Sequence, residues 1–208
     1  MAEQDLKRTL ILEAALKRFK RFGLSKTTME EIARDLAISK GSLYYYFSDK
    51  ESIYVAVVER MIADCFVDMS DYVEEAPSID AIMNRYLELK EKMLLEYHFL
   101  FGVNEWVKEM PSSLMRQIKE LLQQVETAFL STTIKKGIST GELCEEIDTE
   151  CIAELLVSVL FGLWVIWCKW QATSFDPTDR KGLRCFMDRE KKVLTIFFNG
   201  LRYRPTFN

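Results

Sequence analysis

Residues 25–54 read SKTTMEEIARDLAISKGSLYYYFSDKESIY, and the fold turns on how this stretch is parsed. Thr28 and Glu31 make a T-x-x-E capping box that opens a helix running through Ile32, Ala33 and Leu36. After Ala37-Ile38, Ser39 is placed to cap a second short helix ending near Phe47. Ser48-Asp49-Lys50-Glu51 reads as another capping box, opening a long helix to about Val73. A helix turns about 100° per residue, so Tyr44, Tyr45, Tyr46 and Phe47 cannot all face one core. Leu43 and Phe47, with Tyr46 on the flank, suit packing on Ile32, Leu36 and Phe19, which leaves Lys40, Gly41, Ser42, Tyr44 and Tyr45 outward.

Upstream, Ile11, Ala15, Phe19 and Phe22 form an apolar stripe on a helix predicted over Asp5–Phe22, with Gly23 as its stop. Two short helices joined by about four residues, with a third packed across them, is the layout of a helix-turn-helix module. The outward set carries an ammonium, hydroxyls and a glycine that permits close backbone approach, which is chemistry for phosphates and base edges. A small three-helix bundle with surface tyrosines is the alternative on pattern alone.

Residues 11–54 resemble the DNA-binding domain of the tetracycline-repressor (TetR) family. The resemblance rests on Ile11-Leu12, Ala14-Ala15, Phe19, Gly23, Thr28-Met29, Ile32-Ala33, Ser39-Lys40-Gly41, Leu43 to Phe47 and Lys50-Glu51. It implies a dimeric regulator, usually a repressor released by a small molecule, with the second short helix in the major groove. By position, it implies that Thr28 and Lys50 contact phosphate, that Lys40, Gly41 and Ser42 approach bases, that Tyr44 meets base or backbone, and that Tyr45 and Tyr46 meet backbone. Ala37-Ile38 departs from the family pattern, where a glycine often opens the turn.

The 208 residues are 49% hydrophobic and 29% charged with only 8 Gly and 4 Pro, the composition of a helix-rich globular chain. The formal charge of -4 is unevenly spread: residues 1–50 hold ten Lys/Arg against seven Asp/Glu, and the remainder holds 18 against 25. A mildly basic segment thus precedes an acidic body. Helical patterns continue at about 79–97, 98–109, 113–136, 149–171 and 187–200, with Gly137 and Gly141 bracketing a turn and residues 173–183 read as a loop. The expected fold is all-α, with a helix-turn-helix DNA-binding domain over 1–50 and a helical effector-binding and dimerisation domain over 51–208.

The two last helices resemble by position the pair that forms a four-helix bundle between subunits in this family. Ile152 and Leu155 add to their apolar surface, and Leu156, Val159, Leu160, Leu163, Phe197, Phe198 and Leu201 are the expected dimer contacts. The alternative is a helix wholly buried in its own subunit. Tyr86, Met93, Phe99, Phe101, Trp106, Trp164 and Trp167 are candidate lining residues for an apolar or aromatic effector, against the reading that they are plain core.

His98 is the single histidine, so no zinc set is available, and no cofactor is expected. There is no GxGxxG, P-loop, HExxH or GxSxG, which argues against an enzyme. The five cysteines, Cys65, Cys144, Cys151, Cys168 and Cys185, lack a CxxC pair and fit a reducing cytoplasm. A thiol sensor built on Cys144 and Cys151 and a constitutive DNA-binding scaffold are the competing functions. LLVSVLFGLWVIWC, residues 155–168, would span about 21 Å as a helix, short of the roughly 30 Å hydrocarbon core, so a buried helix is expected and no membrane partner. The N-terminus lacks the apolar segment of a secretory signal. The expected partners are a palindromic double-stranded DNA operator, a second copy of the chain and a small-molecule effector.

Overall fold

The structure, a computed structural model, describes residues 2–67, 69–101, 110–170 and 179–202. Among these the chain is all-α. The helices are α1 (Ala2–Phe22), α2 (Met29–Asp35), α3 (Lys40–Tyr46), α4 (Lys50–Phe66), α5 (Met69–Glu75), α6 (Ile79–Phe101), α7 (Ser112–Ser139), α8 (Thr149–Trp170) and α9 (Arg180–Leu201).

Two compact units emerge. One comprises residues 1–64 and 97–121, the other 65–96 and 122–208. The division within α6 falls at Tyr97, whose φ of -116° and ψ of 19° interrupt the helical geometry.

In the first unit, Ile11, Ala15 and Phe19 of α1, Ile32 and Ala33 of α2, and Leu43 of α3 are all buried with Ile53, Tyr54 and Val57 of α4. Phe19 and Tyr54 meet edge to face at 5.3 Å. The Tyr54 hydroxyl donates to the Leu100 carbonyl at 3.0 Å, and burial pushes that hydroxyl well above the usual tyrosine range. Phe22, expected on the α1 stripe, is exposed instead, with the Arg18 and Arg21 guanidinium groups over its ring.

The start of α4 differs from the expected Ser48/Glu51 box. Asp49 is the capping residue: Ser52 N–H donates to Asp49 Oδ1 at 2.7 Å, and Asp49 N–H donates to Ser52 Oγ at 3.4 Å. The true reciprocal pair is therefore one residue later. α4 ends at Phe66 rather than near Val73, and α5, from Met69, is a separate short helix.

The core of the second unit joins Ile79, Ile82, Tyr86 and Leu94 of α6, Leu130 and Ile134 of α7, Leu156 and Leu160 of α8, and Leu183, Phe186, Leu194 and Phe198 of α9. Gly137 lies inside α7 rather than at a turn. A Cβ there would come within 2.8 Å of Leu143 and also collide with Ile79, so glycine permits the close packing of α7 on its neighbours. Gly141, with φ of +73°, makes the turn after α7. α9 begins at Arg180, inside the segment expected to be a loop: Asp179 caps it by accepting from Gly182 N–H at 3.0 Å.

Candidate nucleic-acid interface and buried polar cluster

The geometry of α2 and α3 follows from three local devices. Thr28, with extended φ and ψ of -121° and 155°, caps α2: its hydroxyl oxygen accepts from Glu31 N–H at 3.3 Å, and its own N–H donates to Glu31 Oε2 at 3.0 Å. α2 ends in a Schellman motif, with Ile38 N–H on Ala33 O at 3.0 Å and Ala37 N–H on Arg34 O at 3.1 Å. Ala37 occupies the left-handed position, φ +52°, where a glycine would fit without strain. Ser39 then caps α3, accepting from Ser42 N–H at 3.1 Å.

Arg18 fixes α1 against α2 through two hydrogen bonds to Asp35, at 2.6 and 2.9 Å, and an ion pair with Glu31 at 3.3 Å. The hydrogen bond from Arg18 holds the Asp35 carboxyl below its usual range. The Glu31 carboxyl is also lowered, first by the Thr28 hydroxyl.

This frame sets the faces of α3. Leu43 is 0% exposed and Phe47 6%, while Tyr44 and Tyr45 are 44% and 71% exposed. Thr28, Lys40 and Gly41 are exposed; Ser42, Tyr46 and Lys50 are half-buried. The Lys40 ammonium pairs with Glu30 of α2, which raises the lysine pKa, and lies 5.6 Å from the Tyr44 ring centroid. Tyr45 accepts from Gln4 Nε2 at 2.8 Å and meets Tyr46 edge to face at 5.2 Å. Lys50 is engaged differently from the other residues expected to contact DNA: its ammonium donates to three carbonyls, those of Leu24, Ser25 and Thr27, at 3.0, 3.4 and 3.3 Å. It ties the turn before α2 to the first residue of α4.

Residues 11–57 match the family described as bacterial regulatory proteins, tetR family. It is 34% identical over 91 residues to the HTH-type transcriptional regulator RutR of Escherichia coli (strain K12), a match that spans 44% of this chain and only 42% of RutR. It is 26% identical over 161 residues to the HTH-type transcriptional regulator UidR of the same organism, covering 75% of this chain and 79% of UidR. Among solved structures, a transcriptional regulator from Cytophaga hutchinsonii superposes with a TM-score of 0.75 at 28% identity, covering 95% of this chain and 99% of that one.

In the second unit, the candidate effector residues separate into distinct environments. Tyr86 is 1% exposed and stacks on Phe129 at 5.1 Å, with Phe66 at 6.4 Å. Trp167 is buried and stacks on Phe186 at 4.7 Å, with half-buried Trp164 at 5.3 Å from Trp167. Met93 is buried. Trp106 and the side chains of His98, Phe99 and Phe101 lie outside the described residues.

The sequence reading missed a polar cluster around Tyr86. Lys90 Nζ donates to Tyr86 Oη at 3.1 Å, Glu126 Oε1 at 3.0 Å and Glu190 Oε1 at 2.9 Å, and the Tyr86 hydroxyl donates to Glu126 Oε1 at 2.6 Å. Lys90 is 8% exposed and Glu190 0%. Burial pulls the Lys90 ammonium down, but the carboxylates of Glu126 and Glu190 outweigh it and hold the group charged, well above the usual lysine range. Burial pushes the Glu190 carboxyl up, opposed by the charge of Lys90. Glu190 Oε2 is buried with no hydrogen-bond partner. A charged residue spaced four from Phe186 and four from Leu194, on an otherwise apolar stripe, was the sequence signal for it.

The expected dimer residues also divide. Leu156 (0% exposed), Leu160 (1%) and Phe198 (2%) belong to the core of their own subunit, and Leu163, Phe197 and Leu201 pack against that core. Of the seven only Val159 is exposed, and the other exposed apolar residues of these two helices are Leu155 and Ile166 on α8 and Ile196 on α9. A one-residue step rotates a side chain by about 100°, enough to move it from the outer face to the core. The apolar run of α8 extends to Thr149–Trp167 with a mean hydropathy of 1.9, long enough by length and composition to cross a membrane. In the structure its Ala153, Leu156, Val157 and Leu160 are core residues of the helical unit.

Proposed function

We propose that the protein is a DNA-binding transcriptional repressor that acts as a homodimer on a palindromic operator in the cytoplasm and is released by a small apolar or aromatic effector. The observation that carries this reading is the division of α3, which buries Leu43 and Phe47 and turns Lys40, Gly41, Tyr44 and Tyr45 outward. On this reading residues 1–50 are the reading head and 51–208 the effector and dimer body. Lys40, Gly41 and Ser42 approach base edges in the major groove, Tyr44 meets base or backbone, and Thr28, Tyr45 and Tyr46 grip the sugar-phosphate wall.

Lys50 supports the same surface by holding the turn that carries Thr28, through its bonds to three carbonyls of that turn. The dimer is built on the outward apolar residues Leu155, Val159, Ile166 and Ile196, which otherwise remain in water. Effector binding in the body tilts α4, so that the two reading heads no longer match half-sites about 34 Å apart.

The test is fluorescence anisotropy of the full chain with duplexes tiled from the DNA flanking its own coding region, against shuffled duplexes of equal length. Tight binding to one palindromic duplex, lost when Ser42 or Tyr44 is replaced, is expected. Equal affinity for all duplexes would overturn the reading.

A further inference from the structure

Glu30 lies in the first turn of α2 and Lys40 opens α3, ten residues on, and their side chains meet at the surface of the helix-turn-helix. The Lys40 ammonium donates to Glu30 Oε1, with side-chain exposures of 53% and 55%. The same nitrogen lies 5.6 Å from the ring centroid of Tyr44, one turn further along α3, within reach of a cation–π contact. A carboxylate and an aromatic ring thus hold the end of a long side chain from two sides. The hydrogen bond between them lowers the Glu30 carboxyl and raises the Lys40 ammonium, so both stay charged.

A carboxylate is out of place on a surface meant for DNA. The duplex carries one negative charge per about 1.7 Å of its axis, and Thr28, two residues before Glu30, and Tyr44, beside Lys40, belong to the surface proposed to meet it. Capping does not require Glu30, because Glu31 completes the box with Thr28. What Glu30 changes is Lys40. An ammonium has three N–H donors. One goes to Glu30, and the two that remain match the two acceptors, O6 and N7, that guanine shows in the major groove. The pair is neutral as a whole, so phosphates, which attract net charge, gain little from it. The direction of the free N–H groups, which a base edge reads, is kept.

We infer that Glu30 is a specificity-determining residue that acts through Lys40, orienting its ammonium toward a guanine edge and withholding its charge from the phosphate backbone. The inference rests on the reading of the protein as an operator-binding regulator and deepens it by assigning one base to one side chain. Glu30 is a positioning residue, and Lys40 makes the contact. A role confined to complementing the α2 dipole from its first turn would show in thermal stability and leave base preference unchanged.

The experiment is fluorescence anisotropy of the full chain over a series of KCl concentrations, with the parent, Glu30→Gln, Lys40→Met and the double variant. The duplexes are the palindrome that the parent binds most tightly, the same palindrome with each G·C pair in turn changed to A·T, and a shuffled sequence. Both side chains of the pair are exposed, so the variants should keep the parent's fold, which thermal melts check. Glu59→Gln makes the same charge change at an exposed position of α4 and is the control. Glu30→Gln should bind the shuffled duplex about threefold more tightly, with a log–log salt slope steeper by about 0.9, because the released ammonium neutralises one more phosphate. It should bind the palindrome about fivefold more weakly and lose the penalty that the parent shows for one G·C change. In the Lys40→Met background, Glu30→Gln should no longer weaken the palindrome. Tightening of palindrome and shuffled duplex by the same factor in Glu30→Gln, or the same pattern in Glu59→Gln, would overturn the inference and reduce Glu30 to its net charge. A parent that prefers no duplex overturns the operator reading itself, and this inference with it; a selective parent with either of the preceding outcomes overturns the inference alone.

Discussion

Replacing Lys90 by methionine removes the ammonium that three oxygens share in the core of the second unit. Glu190, with 0% exposure, then has neither oxygen paired among the described residues, because Oε1 loses the hydrogen bond from Lys90 and Oε2 has none to begin with, and holding it ionised or protonating it at pH 7 both cost stability. Glu126 suffers less: its side chain is 22% exposed and can turn to water. Breaking one side of a buried ion pair costs about 3–5 kcal/mol. For a chain of this size that is a fall in unfolding temperature of roughly 6–20 °C. Replacing Glu190 by methionine as well removes the stranded charge and its orphan oxygen together. The double variant should therefore be more stable than Lys90→Met alone, with a coupling of at least about 2 kcal/mol. Urea unfolding at fixed protomer concentration, with all four proteins at pH 7, measures the cycle. A cost below about 1 kcal/mol for Lys90→Met, or a double variant equal to the sum of the singles, would refute the claim that Lys90 neutralises a buried carboxylate.

Three further outcomes follow from the same geometry. Because burial holds the Glu190 carboxyl above its ordinary value of 4.5, the folded state binds its proton more tightly; the stability it contributes is full below about pH 4.5 and is lost as pH rises through the folded value. Urea midpoints of the parent and Glu190→Gln, compared at pH 5 and pH 7.5, should diverge in favour of the variant as pH rises, and a constant difference would contradict this. Ala37→Gly relieves a left-handed φ of +52° and should stabilise the chain by about 0.5–1 kcal/mol in thermal melts; a lower melting temperature would show that the strain is absent. Lys50→Met should lower the melting temperature and weaken all DNA alike with the salt slope unchanged, whereas a slope reduced by about 0.9 would mark a direct phosphate contact.

The reading head was legible because its signals are local. A capping box spans four residues, and Thr28 with Glu31 and Ser39 with Ser42 do in the structure what their types and spacing require. The α3 faces follow from one rotation angle applied to Leu43 and Phe47. Where two local solutions competed, the reading slipped. Ser48/Glu51 and Asp49/Ser52 both offer a reciprocal cap one residue apart, and only the geometry of the chain entering α4 selects Asp49. The stretch 173–183 reads as a loop although Asp179, three residues before Gly182, caps a helix within it. Gly137 suggested a turn although it serves close packing inside α7.

By itself, the sequence determined the all-α class, the helix-turn-helix and its outward tyrosines, since hydrophobic period and cap chemistry act within a few residues. Tertiary structure alone decided the rest. Whether Leu156 or Leu155 faces outward depends on how α8 is rotated against its neighbours, a choice that an apolar run such as LLVSVLFGL leaves open on every face. The meeting of Lys90 with Glu126 and Glu190 joins positions 36 and 100 residues away from it. Such a cluster has no local pattern, because its energy lies in desolvation and charge pairing between helices and exists only once the core has closed around it.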